Sequence, residues 1–272
     1  MQKIEFTKMH GLGNDFVIID KRSNEIEINN NLIQKLSDRR TGAGCDQLIT
    51  INDPKNKDAD ISIDIFNPGG DKAEACGNGT RCVAKILFNE NNEKETLKIL
   101  SDAGTLIAKK VGDQISVNMG IVTTEWDRIP LTKEMDTLNV PIHVDGFDLG
   151  VAVSIGNPHV VFFGKSIENI NLNEIGPKIE QHYFFPNKTN VEFIEVVNSN
   201  TIKMKVWERG AGITLACGSG ACAAVYAGWK KKLIEKNSEV QLEKGSLHIN
   251  IVNNEAIMTG PAEISYNGYI HI

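Results

Sequence analysis

One short phrase occurs twice in the chain, and its surroundings repeat with it. Residues 75–82 read ACGNGTRC and residues 216–223 read ACGSGACA. Upstream, GNDFVII from Gly13 matches GNPHVVF from Gly156, which sets Asn14 opposite Asn157, 143 positions on, and Gln47 opposite Asn190 at the same spacing. Closer in, ISIDIFNPGG from Ile61 matches IKMKVWERGA from Ile202, so that Asn67 meets Glu208 and Cys76 meets Cys217, each 141 positions apart. A two-residue indel reconciles the two spacings, and four separated stretches align in order. Self-similarity on this scale restricts the fold to two copies of one supersecondary plan. At 272 residues, two domains of similar size also suit a chain near the length where single cores stop growing.

The alternation Ile61, Ile63, Ile65 and again Ile202, Met204, Val206 has the period of a half-buried strand. Each half thus reads as strand, glycine-rich turn, cysteine, helix. The second helix candidate, GACAAVYAGWKKKLIEK, is apolar or small nearly all round at its start, as a buried helix is, and Lys230, Lys231 and Lys232 suit its carboxyl end. Short alternating runs such as TLIAKK, QISVNM and VQLEKGSLHINIV read as strands and hairpins. The expected class is α+β, with two pseudo-equivalent domains.

Composition removes several functions. A formal charge of -6 gives no electrostatic footprint for nucleic acid or an anionic membrane. No apolar run approaches the ~18 residues of a membrane span, and MQKIEFTKMH carries charge where a signal peptide is apolar. A cytoplasmic protein with a small-molecule partner is the expectation. The five cysteines are an odd count without a Cys-x-x-Cys pair or a spaced histidine cluster, which disfavours a disulfide framework or a zinc site and leaves thiols as the expected state.

A helix start leaves N–H groups unpaired and carries roughly +0.5 charge, so it attracts carboxylates, and glycines there admit a ligand close to the backbone. The same field is expected to lower a thiol's pKa. A single Cys-Gly-x-Gly reads more readily as a small buried cysteine beside turn glycines. Two of them at equivalent positions favour two working thiols, Cys76 and Cys217. Cys45, Cys82 and Cys222 read as packing residues. Two thiols acting on opposite faces of a carboxylate-bearing molecule suit inversion of the carbon next to that carboxylate: one base removes a proton, and an acid on the other face returns one.

With MHGLGNDFVIID, RTGAGCDQLI, FNPGGDKAEACGNGTRC, GNPHVVFF, TNVEFIEV and WERGAGITLACGSGACAA, the chain resembles the diaminopimelate epimerase family over essentially its whole length. The resemblance implies an isomerase that needs neither pyridoxal phosphate nor metal and interconverts L,L- and meso-diaminopimelate, for lysine and cell-wall precursor synthesis. It implies two domains, 1–118 with a returning carboxyl-terminal strand 264–272, and 119–263, each a mixed, mostly antiparallel sheet wrapped round a central helix. It makes Cys76 and Cys217 the acid–base pair. It makes Gly77 with Asn78, and Gly218 with Ser219, the cradles for the reacting carboxylate. Asn14, Gln47, Asn67, Asn157, Asn190, Glu208 and Arg209 become substrate contacts, with His159 and Glu208 adjusting the thiols; a His beside Cys76 could hold its proton or stabilise thiolate. Arg209 can hold a distal carboxylate in a two-pronged fork. Family members are homodimers, and Tyr266 is expected at that interface.

The sequence departs from the family pattern at Gly69, Gly70 and Asp71, where Asp-Gly-Ser is usual, and at Ile213, where Glu is usual. Within the same fold the rivals are a racemase of another amino acid and a phenazine-type isomerase, the latter lacking the two thiols. Outside enzymes the rival is a thiol redox or metal-binding module.

Overall fold

A computed structural model of the chain describes residues 3–23, 26–73 and 76–271, which divide into two compact units, Met1–Val117 with Gly260–Ile272, and Asn118–Thr259. In chain order the elements are β1 (Lys3–Gly11), β2 (Asn14–Asp20), α1 (Asn30–Ser37), β3 (Gln47–Asn52), β4 (Ile61–Phe66), β5 (Lys72–Ala73), α2 (Gly77–Glu90), β6 (Thr96–Ser101), β7 (Gly104–Val111) and β8 (Gln114–Ile121). Then follow β9 (Val151–Ser154), β10 (Pro158–Gly164), α3 (Leu172–Glu180), β11 (Asn190–Asn198), β12 (Thr201–Glu208), β13 (Gly212–Ile213), α4 (Gly218–Lys230), β14 (Asn237–Leu242), β15 (Gly245–Val252), β16 (Glu255–Gly260) and β17 (Glu263–His271).

The sequence repeat is a repeat of strand pairing. In the first unit β1 runs antiparallel to β2, β2 parallel to β3, β3 antiparallel to β4, β4 parallel to β6, and β6 antiparallel to β7. The second unit uses the same ladder with β9, β10, β11, β12, β14 and β15. Even the register is shared: Phe16 faces Gln47 across β2 and β3, and their counterparts His159 and Asn190 face each other across β10 and β11. The two-residue change in spacing falls after β3 and β11, because Leu48 pairs with Phe66 while Val191 pairs with Trp207. The last strand, β17, pairs antiparallel with β1 from Lys3↔His271 to His10↔Glu263 and so belongs to the first unit.

Helix α2 packs on β1, β2 and β7. Helix α4 packs on β9, β10, β11, β14 and β15. From Gly220 to Gly228 every residue of α4 is buried, which is why its sequence is small or apolar all round; the helix ends at Lys230, within the lysine run expected to close it. β10 is buried on both faces, as a strand in a parallel pair covered by helix must be. Its Phe162 stacks on Phe193 of β11 at 5.2 Å, in a core that also holds Val160, Ile179 and Phe185. The first unit has a core of Ile4, Val17, Ile19, Leu36 and Leu48. The α+β class expected from the alternating runs is the class found.

Candidate active site

Both repeated cysteines are helix N-caps. Cys76 lies in extended backbone (φ -148°) before α2 and its Sγ accepts the N–H of Gly79 at 3.4 Å; Cys217 (φ -121°) does the same before α4 with the N–H of Gly220 at 3.4 Å. Each cysteine's carbonyl then takes the next N–H, that of Thr80 or Ala221. The N–H groups of Gly77 and Asn78, and of Gly218 and Ser219, lie in the first turn of their helices, where N–H groups point out of the helix end. Each half-site therefore joins a sulfur to a pair of backbone donors at a positive helix end, the cradle that suits a carboxylate.

Around Cys76 the first unit gathers Asn14 and Asn78. The two-residue turn Leu12-Gly13, both at positive φ (57° and 88°), starts β2 at Asn14. Asn14 donates to Asp46 at 3.0 Å, which turns its Oδ1 toward Asn78 Nδ2 (3.1 Å) and the Cys76 thiol (3.9 Å). Asp46 is held by Arg39, which also pairs with Asp15, and Asp15 pairs with the buried Lys8. Gln47 and Asn67 form a second group, with Gln47 donating to Asn67 Oδ1 at 3.0 Å. Asp71 accepts from the Asn67 amide at 2.6 Å, and its carbonyl takes the Asn67 N–H at 2.9 Å. Gly70 has φ +99°, and a Cβ there would stand 2.7 Å from the Asn30 side chain. Tyr266 is apart from both groups, half exposed on β17, with its hydroxyl donating to Ala43 O at 3.3 Å.

The second unit surrounds Cys217 with acids. Glu208 at the end of β12 accepts from Thr214 and from the Cys217 thiol, and Ser219 Oγ lies 3.5 Å from the sulfur. His159 is fully buried, with Nδ1 2.7 Å from Glu192 Oε1 and Nε2 3.0 Å from Asn157 Oδ1. Asn190 donates to Pro158 O at 2.9 Å and accepts the Arg209 N–H at 2.9 Å. The exposed Arg209 guanidinium donates to Asn187 O at 3.3 Å. Glu180 holds this corner, accepting from Trp207 Nε1 at 2.7 Å and from the Gly210 N–H at 3.1 Å. Ile213 is half exposed opposite Trp207.

The expected lowering of the thiol pKa at the helix start does not hold at Cys217. Burial first, and then the carboxylates of Glu208 and Glu192, push this thiol well above its ordinary value, and the Ser219 hydroxyl offsets only part of that. Burial likewise pushes Glu208 up, against the bonds it accepts from Thr214 and Cys217. Cys82, one turn into α2, is fully buried and pushed up to about 12, an inert packing residue as expected.

Residue reading alone missed Glu192, Asp46, Thr214 and Glu180. Glu192 had a signal: in a strand it shares a face with Asn190 two residues earlier. Among the described residues no group of three or more His, Cys, Asp or Glu could hold a metal ion, and no helix is long and apolar enough to cross a membrane. A hollow of about 740 Å³ on the first unit, lined by Glu5, Ile18, Glu90 and Tyr269 among others, contains none of the candidate residues.

The diaminopimelate epimerase family model matches residues 6–125 and 151–265. A diaminopimelate epimerase of Pelagibacter ubique is 44% identical over 265 residues, covering 95% of each chain. Among solved structures, a phenazine biosynthesis protein of the PhzF family from Bacillus anthracis superposes with a TM-score of 0.72 at 15% identity, covering 100% of both chains. A probable proline racemase from Agrobacterium radiobacter gives 0.71 at 13% identity, covering 99% of this chain and 93% of that one. At such identities these two share the fold.

Proposed function

We propose, because the chain belongs to the diaminopimelate epimerase family, that it interconverts L,L- and meso-2,6-diaminopimelate with Cys76 and Cys217 as the two acid–base groups. One sulfur, as thiolate, takes the proton from the α-carbon. The electron pair left on that carbon is delocalised into the adjacent carboxylate, which the N–H donors of the helix starts stabilise as its charge grows. The other sulfur, as thiol, donates its proton to the opposite face and leaves as thiolate. The enzyme thus ends a turnover with thiol and thiolate exchanged, and solvent exchange restores it.

The observation that carries this reading is the duplicated cap: each cysteine accepts the N–H three residues on while standing beside two backbone donors. A thiol used only for packing needs no such donors. Arg209, exposed at the end of β12, has the fork geometry for the distal carboxylate, and Asn14, Gln47, Asn67, Asn157 and Asn190 supply the donors and acceptors that tell ammonium from carboxylate. The same reading takes the protein as a cytoplasmic homodimer, with Tyr266 at the dimer contact. Its test is incubation of the purified, reduced protein with L,L-diaminopimelate and separation of the stereoisomers. Meso product is expected; no interconversion by reduced, folded protein would overturn the proposal.

A further inference from the structure

Glu180 closes α3 and is buried, yet the proposed reaction assigns it no task. Its carboxylate oxygens take N–H groups from the strand and turn that carry Glu208 and Arg209: Oε2 accepts Trp207 Nε1 at 2.7 Å, and Oε1 accepts the Gly210 N–H at 3.1 Å. Its own carbonyl takes the Thr189 N–H at 3.1 Å, just before Asn190 opens β11. The half-exposed Lys188 brings its Nζ to 3.6 Å from Oε1. Helix α3 packs on β12 and β13 so closely that a Cβ on Gly176 would lie 2.5 Å from the Trp207 ring.

The turn after β12 is held from several sides. Gly210 and Gly212 have positive φ (77° and 83°), and the Ala211 N–H closes on Glu208 O at 3.1 Å. Two successive backbone N–H groups are then fixed by side chains of neighbouring elements, Arg209 by Asn190 Oδ1 at 2.9 Å and Gly210 by Glu180. The Arg209 guanidinium stays exposed, with a bond to Asn187 O at 3.3 Å.

A buried carboxylate is costly unless donors meet it, so packing alone does not call for one here. The repeat displays the alternative. Helix α1 ends at Ser37 as α3 ends at Glu180, at the spacing that relates Gln47 to Asn190. Phe66 takes the place of Trp207, since they pair with the equivalent residues Leu48 and Val191, and Pro68 takes the place of Arg209. Acid, indole and guanidinium thus occur together in one unit, and Ser, Phe and Pro at the same places in the other. A buried acid that serves the turn of an arginine explains the grouping; a device for the fold alone would be expected in both units.

We propose that Glu180 is a positioning residue for the distal end of the substrate: from the end of α3 it fixes the turn 207–212, and with it the place from which the Arg209 guanidinium meets the distal carboxylate. This deepens the reading of Arg209 as the holder of that carboxylate and rests on it. Glu180 then governs how tightly the substrate is held and leaves the proton transfer at the other end alone.

The full-length parent is compared with Glu180→Gln, whose amide cannot accept from both N–H groups, and with the double change Glu180→Ser and Trp207→Phe. The double change installs the first unit's own pair and strands no indole N–H, so the test survives if the single variant folds poorly. In whichever variant keeps a cooperative thermal transition, KM for L,L-diaminopimelate is expected to rise about tenfold while kcat changes less than about threefold. Amide hydrogen exchange without substrate, read by mass spectrometry, should quicken in peptides covering 207–212 and stay as in the parent elsewhere. An unchanged KM, a fall in kcat at constant KM, or unchanged exchange across the turn would overturn the proposal. A folded parent that epimerises nothing would instead refute the reading of Arg209, and the exchange result would still decide whether Glu180 holds the turn.

Discussion

Sulfur is an unusual helix cap. Ser, Thr, Asp and Asn fill that role better because oxygen accepts an N–H more strongly than sulfur, so a cysteine at both caps trades helix stability for a group that can carry a proton. Replacing either Cys76 or Cys217 with Ala is expected to lower turnover by about 10²- to 10⁴-fold, the usual contribution of a positioned acid or base. Cys45→Ala and Cys222→Ala, at buried positions outside the caps, should keep most of it. Steady-state kinetics of the folded variants decides the matter, and near-parental activity in both cap variants would contradict the assignment. Asp15 offers a residue-scale test of the scaffold. Burial alone would raise its carboxyl, but bonds from Arg39 and Lys8 bring it from 3.8 down to about 2. A depressed carboxyl stabilises the fold above its unfolded value and ceases to do so as pH falls through its folded value. Asp15→Asn should therefore cost roughly 1–2 kcal/mol at pH 7, after allowance for screening, and progressively less between about pH 4 and 2. Urea unfolding at pH 7 and pH 3 measures this; a penalty that does not shrink at pH 3 would count against it.

At the scale of elements, the helix starts are packed as closely as backbone allows. Gly79→Ala would drive a methyl into Ile49, which should cost about 1–3 kcal/mol by overpacking and show as a lower calorimetric Tm; an unchanged Tm would contradict the packing described. Much of this level was readable beforehand. The alternating Ile61, Ile63 and Ile65, and Ile202, Met204 and Val206, mark β4 and β12 because one face of each meets the core. The repeat itself located both caps. Less readable were β2 with β3 and β10 with β11: parallel strands buried on both faces lose the polar–apolar alternation that reveals a strand. Glu192 was hidden for a related reason. A repeat is found through positions that agree, and Glu192 stands against Ile49. His159, opposite Phe16, came from the family likeness and not from the repeat. Its partner became visible only when the register of β10 and β11 set the two side chains 2.7 Å apart.

At the scale of the whole molecule, each unit carries one cysteine-capped helix start, and the proposed reaction uses both. Family likeness also carries the expectation of a dimer through β17, where Tyr266 is half exposed and packs edge-on against Phe6 at 6.2 Å. In sedimentation velocity the parent should run as a dimer and Tyr266→Asp should shift toward monomer; a monomeric parent at micromolar concentration would contradict that. The central claim is that two sulfurs divide the proton transfer, and the origin of the product's proton tests it most directly. A sulfur that has taken the α-proton is on the wrong face to return it, so the other must deliver a proton that has exchanged with solvent. In heavy water under initial-rate conditions, meso product formed from L,L-diaminopimelate should carry deuterium at the inverted carbon, while the remaining substrate stays largely unlabelled. Mass spectrometry of the separated stereoisomers reads both, and substantial unlabelled product would mean that a single base serves both faces and that Cys76 and Cys217 do not share the work.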